Sequence, residues 1–128
     1  MRAVHIPVSY GEAADRITIL TIKNERMRDE AKLDHVRTEL ALISDAFFAN
    51  VALAPGFDAL FAELKSVNED LWQIEDDIRA CEAKGDFGKE FVALARAVYT
   101  TNDRRSQIKR AIDELLGSEL REEKSYST

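Results

Sequence analysis

The residues best suited to chemistry form a polar seam. Lys65, Asn68, Trp72, Glu75, Arg79 and Glu82 step three then four residues along one predicted helix. A solvated helix face has no need of Trp. In register, these side chains offer cationic donors, a carboxylate, an amide and a flat apolar wall, which suits the face to another helix or a polar ligand. A second polar stretch interrupts the last helix. Phe87, Phe91, Leu94 and Val98, and later Ile108, Ile112 and Leu115, mark its apolar stripe. Between them Thr101 or Asn102 and then Arg105 stand where Leu or Ile is expected, with Tyr99, Asp103 and Lys109 close by. An antiparallel turn at Gly85 and Asp86 would set Asn68, Trp72, Glu75 and Arg79 opposite the section from Arg96 to Lys109. Polar groups buried there must pair or bind something. Two readings follow: an internal network of Glu75, Arg79, Asp103 and Arg105, or a pocket in which Lys and Arg grip an anion between Trp72 and Tyr99. Helical bundles commonly satisfy such seams internally, which favours the network.

Other chemistries lack their residues. There is no Gly-rich phosphate loop and no Ser-His-Asp candidate. The two His residues, His5 and His35, have only the weak pair His35 and Glu39 near them, so no metal site and no cofactor are expected. The carboxylate pairs Glu12 with Asp15 and Glu75 with Asp76 do not reproduce the dense Mg²⁺-binding pattern of helical nucleotide pyrophosphatases. Cys81, the only cysteine, continues an apolar seam and reads as a small buried hydrophobe.

The elements that must position the seam are helices. Phe57, Leu60, Leu64, Val67, Leu71, Ile74, Ile78 and Cys81 form a heptad-type apolar seam along a helix from about Phe57 to Lys84, which Gly85 ends. Asp86 is the expected N-cap of the last helix, and Gly117 its end. Earlier, Val4 to Val8 is extended in character, because Pro7 disfavours helix before it. Ser9 with Glu12 reads as a capping box that starts the first helix. Ile17 to Ile22 points apolar side chains several ways, which suits a central helix. Asp29 opens a second helix striped by Leu33, Val36, Leu40 and Ile43. Residues from about Phe47 to Gly56 form the main connection, too apolar to be left in water: it either folds over the end of the bundle, the favoured reading, or forms a partner-binding patch. The expectation is a small all-α antiparallel helical bundle in a single domain, 1–128, with a short extended N-terminus, 1–8, and a short tail, 118–128.

Composition agrees with that class. The chain has 128 residues, 45% hydrophobic and 33% charged, with five Gly and two Pro, the balance of a compact helical protein. A net charge of -6 argues against a general nucleic-acid binder, and the cluster Arg104, Arg105, Lys109 and Arg110 reads as a solvated face. No apolar run reaches the roughly 20 residues needed to span a bilayer, and no secretory signal is evident, so a cytoplasmic protein is expected.

The blocks Ile6-Pro-Val-Ser-Tyr-Gly-Glu12, Asp15-Arg-Ile-Thr-Ile-Leu20, Lys23, Val67-Asn68, Leu71-Trp72 and Ile74-Glu-Asp-Asp-Ile-Arg79 resemble a family of short bacterial proteins of unknown function. Leu94-Ala-Arg-Ala-Val-Tyr99, Asn102-Asp103, Ile108-Lys-Arg110 and Glu122-Glu-Lys-Ser-Tyr126 resemble its C-terminal half. The resemblance implies no activity. It does associate the chain with glycosyltransferase or envelope-polysaccharide systems, and it implies a role for the tail Glu122 to Tyr126 beyond packing: either it docks on the bundle with Tyr126 in a groove, which is the favoured reading, or it closes over a ligand. The expectation is a non-catalytic binding or accessory module, self-associating as a dimer. Its partner or small anionic ligand would be held by Lys23, Asn68, Trp72, Glu75, Arg79, Tyr99, Asn102 and Asp103. The alternative is an enzyme on a small anionic substrate, similar in architecture to the all-helical chorismate mutases, with Lys23, Arg79, Arg96 and Arg105 holding the anion.

Overall fold

A computed structural model describes residues 2–126 and contains four helices: α1 (Tyr10–Arg26), α2 (Glu30–Asn50), α3 (Phe57–Lys84) and α4 (Lys89–Leu116). Among the described residues there is no strand. α1 is the hub: it packs on α2, α3 and α4, while α3 and α4 also pack on each other. That placement explains why the apolar residues of α1 point several ways. Ala14, Ile17, Leu20 and Ile22 are all buried.

The core joins Ala14 and Ile17 of α1 to Leu64 and Val67 of α3 and to Ile108 and Ile112 of α4. An aromatic cluster closes one end. Phe47 packs 5.9 Å from Phe57, which stacks 5.2 Å from Phe61, and Tyr10 and Phe48 meet them edge-on. The helix ends follow local chemistry. The Ser9 hydroxyl accepts from the Glu12 N–H, the Asp29 carboxylate accepts from the Lys32 N–H, and Gly85 and Gly117 terminate α3 and α4 with φ of 69° and 70°.

Three local expectations are corrected. The Glu12 carboxylate does not turn back to complete a capping box; it reaches across to Lys109 on α4, a stronger charged partner. Asp86 does not cap α4. Its carboxylate accepts from the Gly88 N–H within the turn, and the helix begins at Lys89. Phe47 and Phe48 are not loop residues, because α2 runs on to Asn50 and the connection shrinks to Val51–Gly56.

The paired helices α3 and α4 thin out away from α1. From Glu69 on α3 to Gln107 on α4, Cys81 is the one buried residue. Leu71, Ile74 and Ile78 of the apolar seam are half-buried, and Phe87, at the turn, is 56% exposed against Phe91.

Candidate functional site

The site is built on a carboxylate in the middle of α1. Asp15 is fully buried, accepting from Asn68 Nδ2 of α3 at 2.9 Å and from Arg105 of α4 through both Nε, at 2.9 Å, and Nη2. Asn68 also donates to the Thr18 hydroxyl, which donates in turn to the Asp15 carbonyl. Arg105 Nη1 donates to the Asn102 side-chain oxygen. This two-toothed charge-assisted pair ties three helices together at one point. The hydrogen bond to Asp15 raises the Arg105 guanidinium above its ordinary value, outweighing its desolvation. The polar seam is therefore an internal network at its base, centred on Asp15 and not on Glu75, Arg79 and Asp103 as the spacing suggests.

Above the network lies an open groove of ≈ 550 Å³ between the three helices. Ile19 and Ile22 of α1 with Leu71 and Trp72 of α3 give it an apolar wall. Asn68, Asn102 and Arg105 form its polar floor, and Glu75, Asp76 and Arg79 line the rest. Arg79 Nη1 pairs with Glu75 at 2.9 Å one turn away. The Arg26 guanidinium lies 5.8 Å from the Trp72 ring centroid, holding the indole at the edge of α1.

Five of the eight residues singled out by spacing, Asn68, Trp72, Glu75, Arg79 and Asn102, come together here. The other three do not line the groove. Lys23 is half-buried on α1, while Tyr99 and Asp103 face the C-terminal tail. Of the cations in the enzyme alternative, Arg79 and Arg105 line the groove, and Lys23 and Arg96 do not.

The tail side is the second polar centre. Asp113 of α4 is fully buried and accepts from the Gly11 N–H at 2.6 Å and from the Glu122 N–H at 2.7 Å. The Ser118 hydroxyl accepts from the Tyr10 N–H and donates to the Leu120 carbonyl. Lys109, 6% exposed, donates to Glu12 at 2.7 Å and pairs with Glu122 at 3.2 Å. Burial pulls the Lys109 ammonium down, but the hydrogen bond to Glu12, the charge of Asp15 and the bond to Glu122 outweigh it and leave it above its ordinary value. Only glycine fits at position 11, since a Cβ there would collide with the Lys109 carbonyl.

Two further contacts hold the tail: Glu123 to Arg110 at 2.6 Å and Lys124 to Asp103 at 3.0 Å. The tail docks by its backbone and charges rather than by Tyr126, which is 69% exposed with its ring 5.3 Å from the Lys124 ammonium. Two clefts follow it, one of ≈ 410 Å³ that Tyr99 and Asn102 line and one of ≈ 270 Å³ that Asp103 lines.

Residues 4–128 match a family described as a family of unknown function, DUF6165. The chain belongs to that family. No curated protein and no solved structure matches it. Membership in DUF6165 assigns no chemistry to either centre.

Spacing along single helices did not reveal Asp15, Lys109 and Asp113 as the groups that organise this DUF6165 chain. Their signal was a charge set among core residues: Asp15 between Ala14 and Ile17, Lys109 after Ile108, and Asp113 after Ile112. Cys81 Sγ and carboxylate oxygens of Asp86 and Glu90 also lie within 4.8 Å of one another. Burial, with the charges of Glu90 and Asp86, pushes the Cys81 thiol above its ordinary value, which keeps it protonated and apolar in character.

Proposed function

We propose that this chain is a non-catalytic binding module that takes a short amphipathic segment of a partner protein into the groove beside Trp72. The observation that carries this reading is the state of the groove's charges. Arg79 pairs with Glu75 inside the groove, and the carboxylates of Glu75 and Asp76 match the charges of Arg79 and Arg105 there, so the groove has no surplus positive charge to hold a small anion. What stays open is the apolar wall of Ile19, Leu71 and Trp72 and, among the described residues, the unpaired carboxylate of Asp76. An apolar segment carrying a Lys or Arg complements that surface. The same features weigh against an enzyme acting on a small anionic substrate.

The setting belongs to the same proposal. A cytoplasmic role beside envelope-polysaccharide or glycosyltransferase systems in bacteria rests on the family resemblance, and no helix of the described residues is long and apolar enough to cross a membrane. Dimerisation is proposed through the exposed Phe87 and Val92. Sedimentation of the wild type against Phe87→Ser with Val92→Ser tests it, the wild type alone being expected to associate.

The groove is tested by comparing Trp72→Ala and Asp76→Lys with the wild type. A peptide selected from a displayed library on the wild type is expected to carry an apolar residue near a basic one, and to lose affinity for both variants while their melting temperatures hold. A thermal-shift screen of anionic metabolites supplies the opposing result. A compound that stabilises the wild type but not a folded Arg79→Ala protein would return the groove to a small-molecule site.

A further inference from the structure

We propose that the cleft between α4 and the C-terminal tail is a binding site for a small phosphate-bearing ligand, and that Glu122 occupies the ligand's place when the site is closed. Three cationic side chains, Arg105, Lys109 and Lys124, line the ≈ 410 Å³ cleft, against the single carboxylate of Glu122. The other carboxylates that balance these cations, Asp15, Glu12 and Asp103, are not among the residues that line it. Each cation is thus kept charged by a partner outside the cleft while its remaining N–H donors are available within. Such an arrangement binds anions without the side chains having to be ordered first.

The neutral groups in the cleft suit the same chemistry. The Ser106 hydroxyl and the Tyr99 phenol line the cleft and, among the described residues, make no hydrogen bond. Tyr99 and Tyr126 are both more than half exposed and give the rim aromatic surface for an organic portion of the ligand. A tetrahedral phosphate accepts several hydrogen bonds at once and so matches a mixed set of ammonium, guanidinium and hydroxyl donors better than a single carboxylate does.

Glu122 is held as a latch. Its backbone N–H is fixed by the fully buried Asp113, so its carboxylate returns to Lys109 whenever the cleft is empty. A phosphate would displace only that side chain, leaving the backbone anchor in place. Glu123 on Arg110 makes a second, more exposed contact of the same kind.

The experiment is calorimetric titration of the full chain with inorganic pyrophosphate. The proteins are wild type, Glu122→Gln, Lys124→Gln, and Arg79→Gln as a control in the other groove. Glu122→Gln removes the competing charge and is expected to bind about tenfold more tightly than wild type, Lys124→Gln several-fold more weakly, and Arg79→Gln unchanged. Circular dichroism confirms that each variant is folded. Absence of saturable binding to both wild type and folded Glu122→Gln overturns the proposal. Binding that Lys124→Gln leaves intact overturns it as well, since the anion would then sit elsewhere. An adenosine diphosphate titration that is tighter than pyrophosphate and weakened by Tyr99→Ala would assign the aromatic rim to an organic group.

Discussion

Asp15 and Arg79 both carry charges in an ion pair, yet their surroundings give them opposite weights. Asp15 is fully buried and Arg105 is its main counter-charge, so Arg105→Ala leaves a carboxylate unpaired in the core and is expected to lower unfolding stability by about 3–5 kcal/mol. The Arg79 side chain is 75% exposed, and Arg79→Ala is expected to change stability by no more than about 0.5 kcal/mol. Urea denaturation of the two variants side by side separates the structural part of the polar seam from the part left for binding. Gly11 makes a third test. With a Cβ at that position, α1 and α4 must move apart at the Lys109 carbonyl, and Gly11→Ala is expected to cost about 3 kcal/mol by the same measurement.

At the scale of elements, α1 is covered on several sides, whereas the outer halves of α3 and α4 have only each other. Amide exchange should divide the molecule accordingly. Protection is expected to be highest from Ala14 to Ile22 and lowest around the Gly85–Gly88 turn, rising again along α4 toward Ile108. The helices themselves were legible in the sequence, because Ser9, Asp29, Gly85 and Gly117 act on their own neighbours within a turn. Their mutual rotation was not. On α4, Tyr99 and Asp103 lie about 60° and about 100° from Asn102 in one direction, and Arg105 about 60° in the other. Asn102 and Arg105 therefore reach both sides while Tyr99 and Asp103 reach only the tail side, and no spacing rule on α3 tells which residues of α4 fall on which side. The choice of Lys109 by Glu12, over the start of its own helix, is hidden for the same reason: the partners are 97 residues apart.

Across the whole molecule, Lys109 links stability to alkaline pH. Its folded value lies above the ordinary 10.5, so the folded chain holds this proton more tightly than the unfolded chain does. That contribution is complete below the unfolded value and is lost as pH rises through the folded one. Melting temperatures at about pH 9 and about pH 11 should therefore fall further for the wild type than for Glu12→Gln, which lacks the first of the raising partners.

The clasp of Gly11 and Glu122 on Asp113 bears on time as well as on stability. Gly11 and Asp113 are 102 residues apart, and Asp15 and Arg105 are 90 apart, so both contacts require α4 to have been made. During synthesis α1 leaves the ribosome before α4, carrying a carboxylate whose counter-charge arrives only with α4. Until then water is its best partner, and α1 cannot bury its central face. Closure of the bundle thus waits for α4, and long-range contacts of this kind are the slow ones to form.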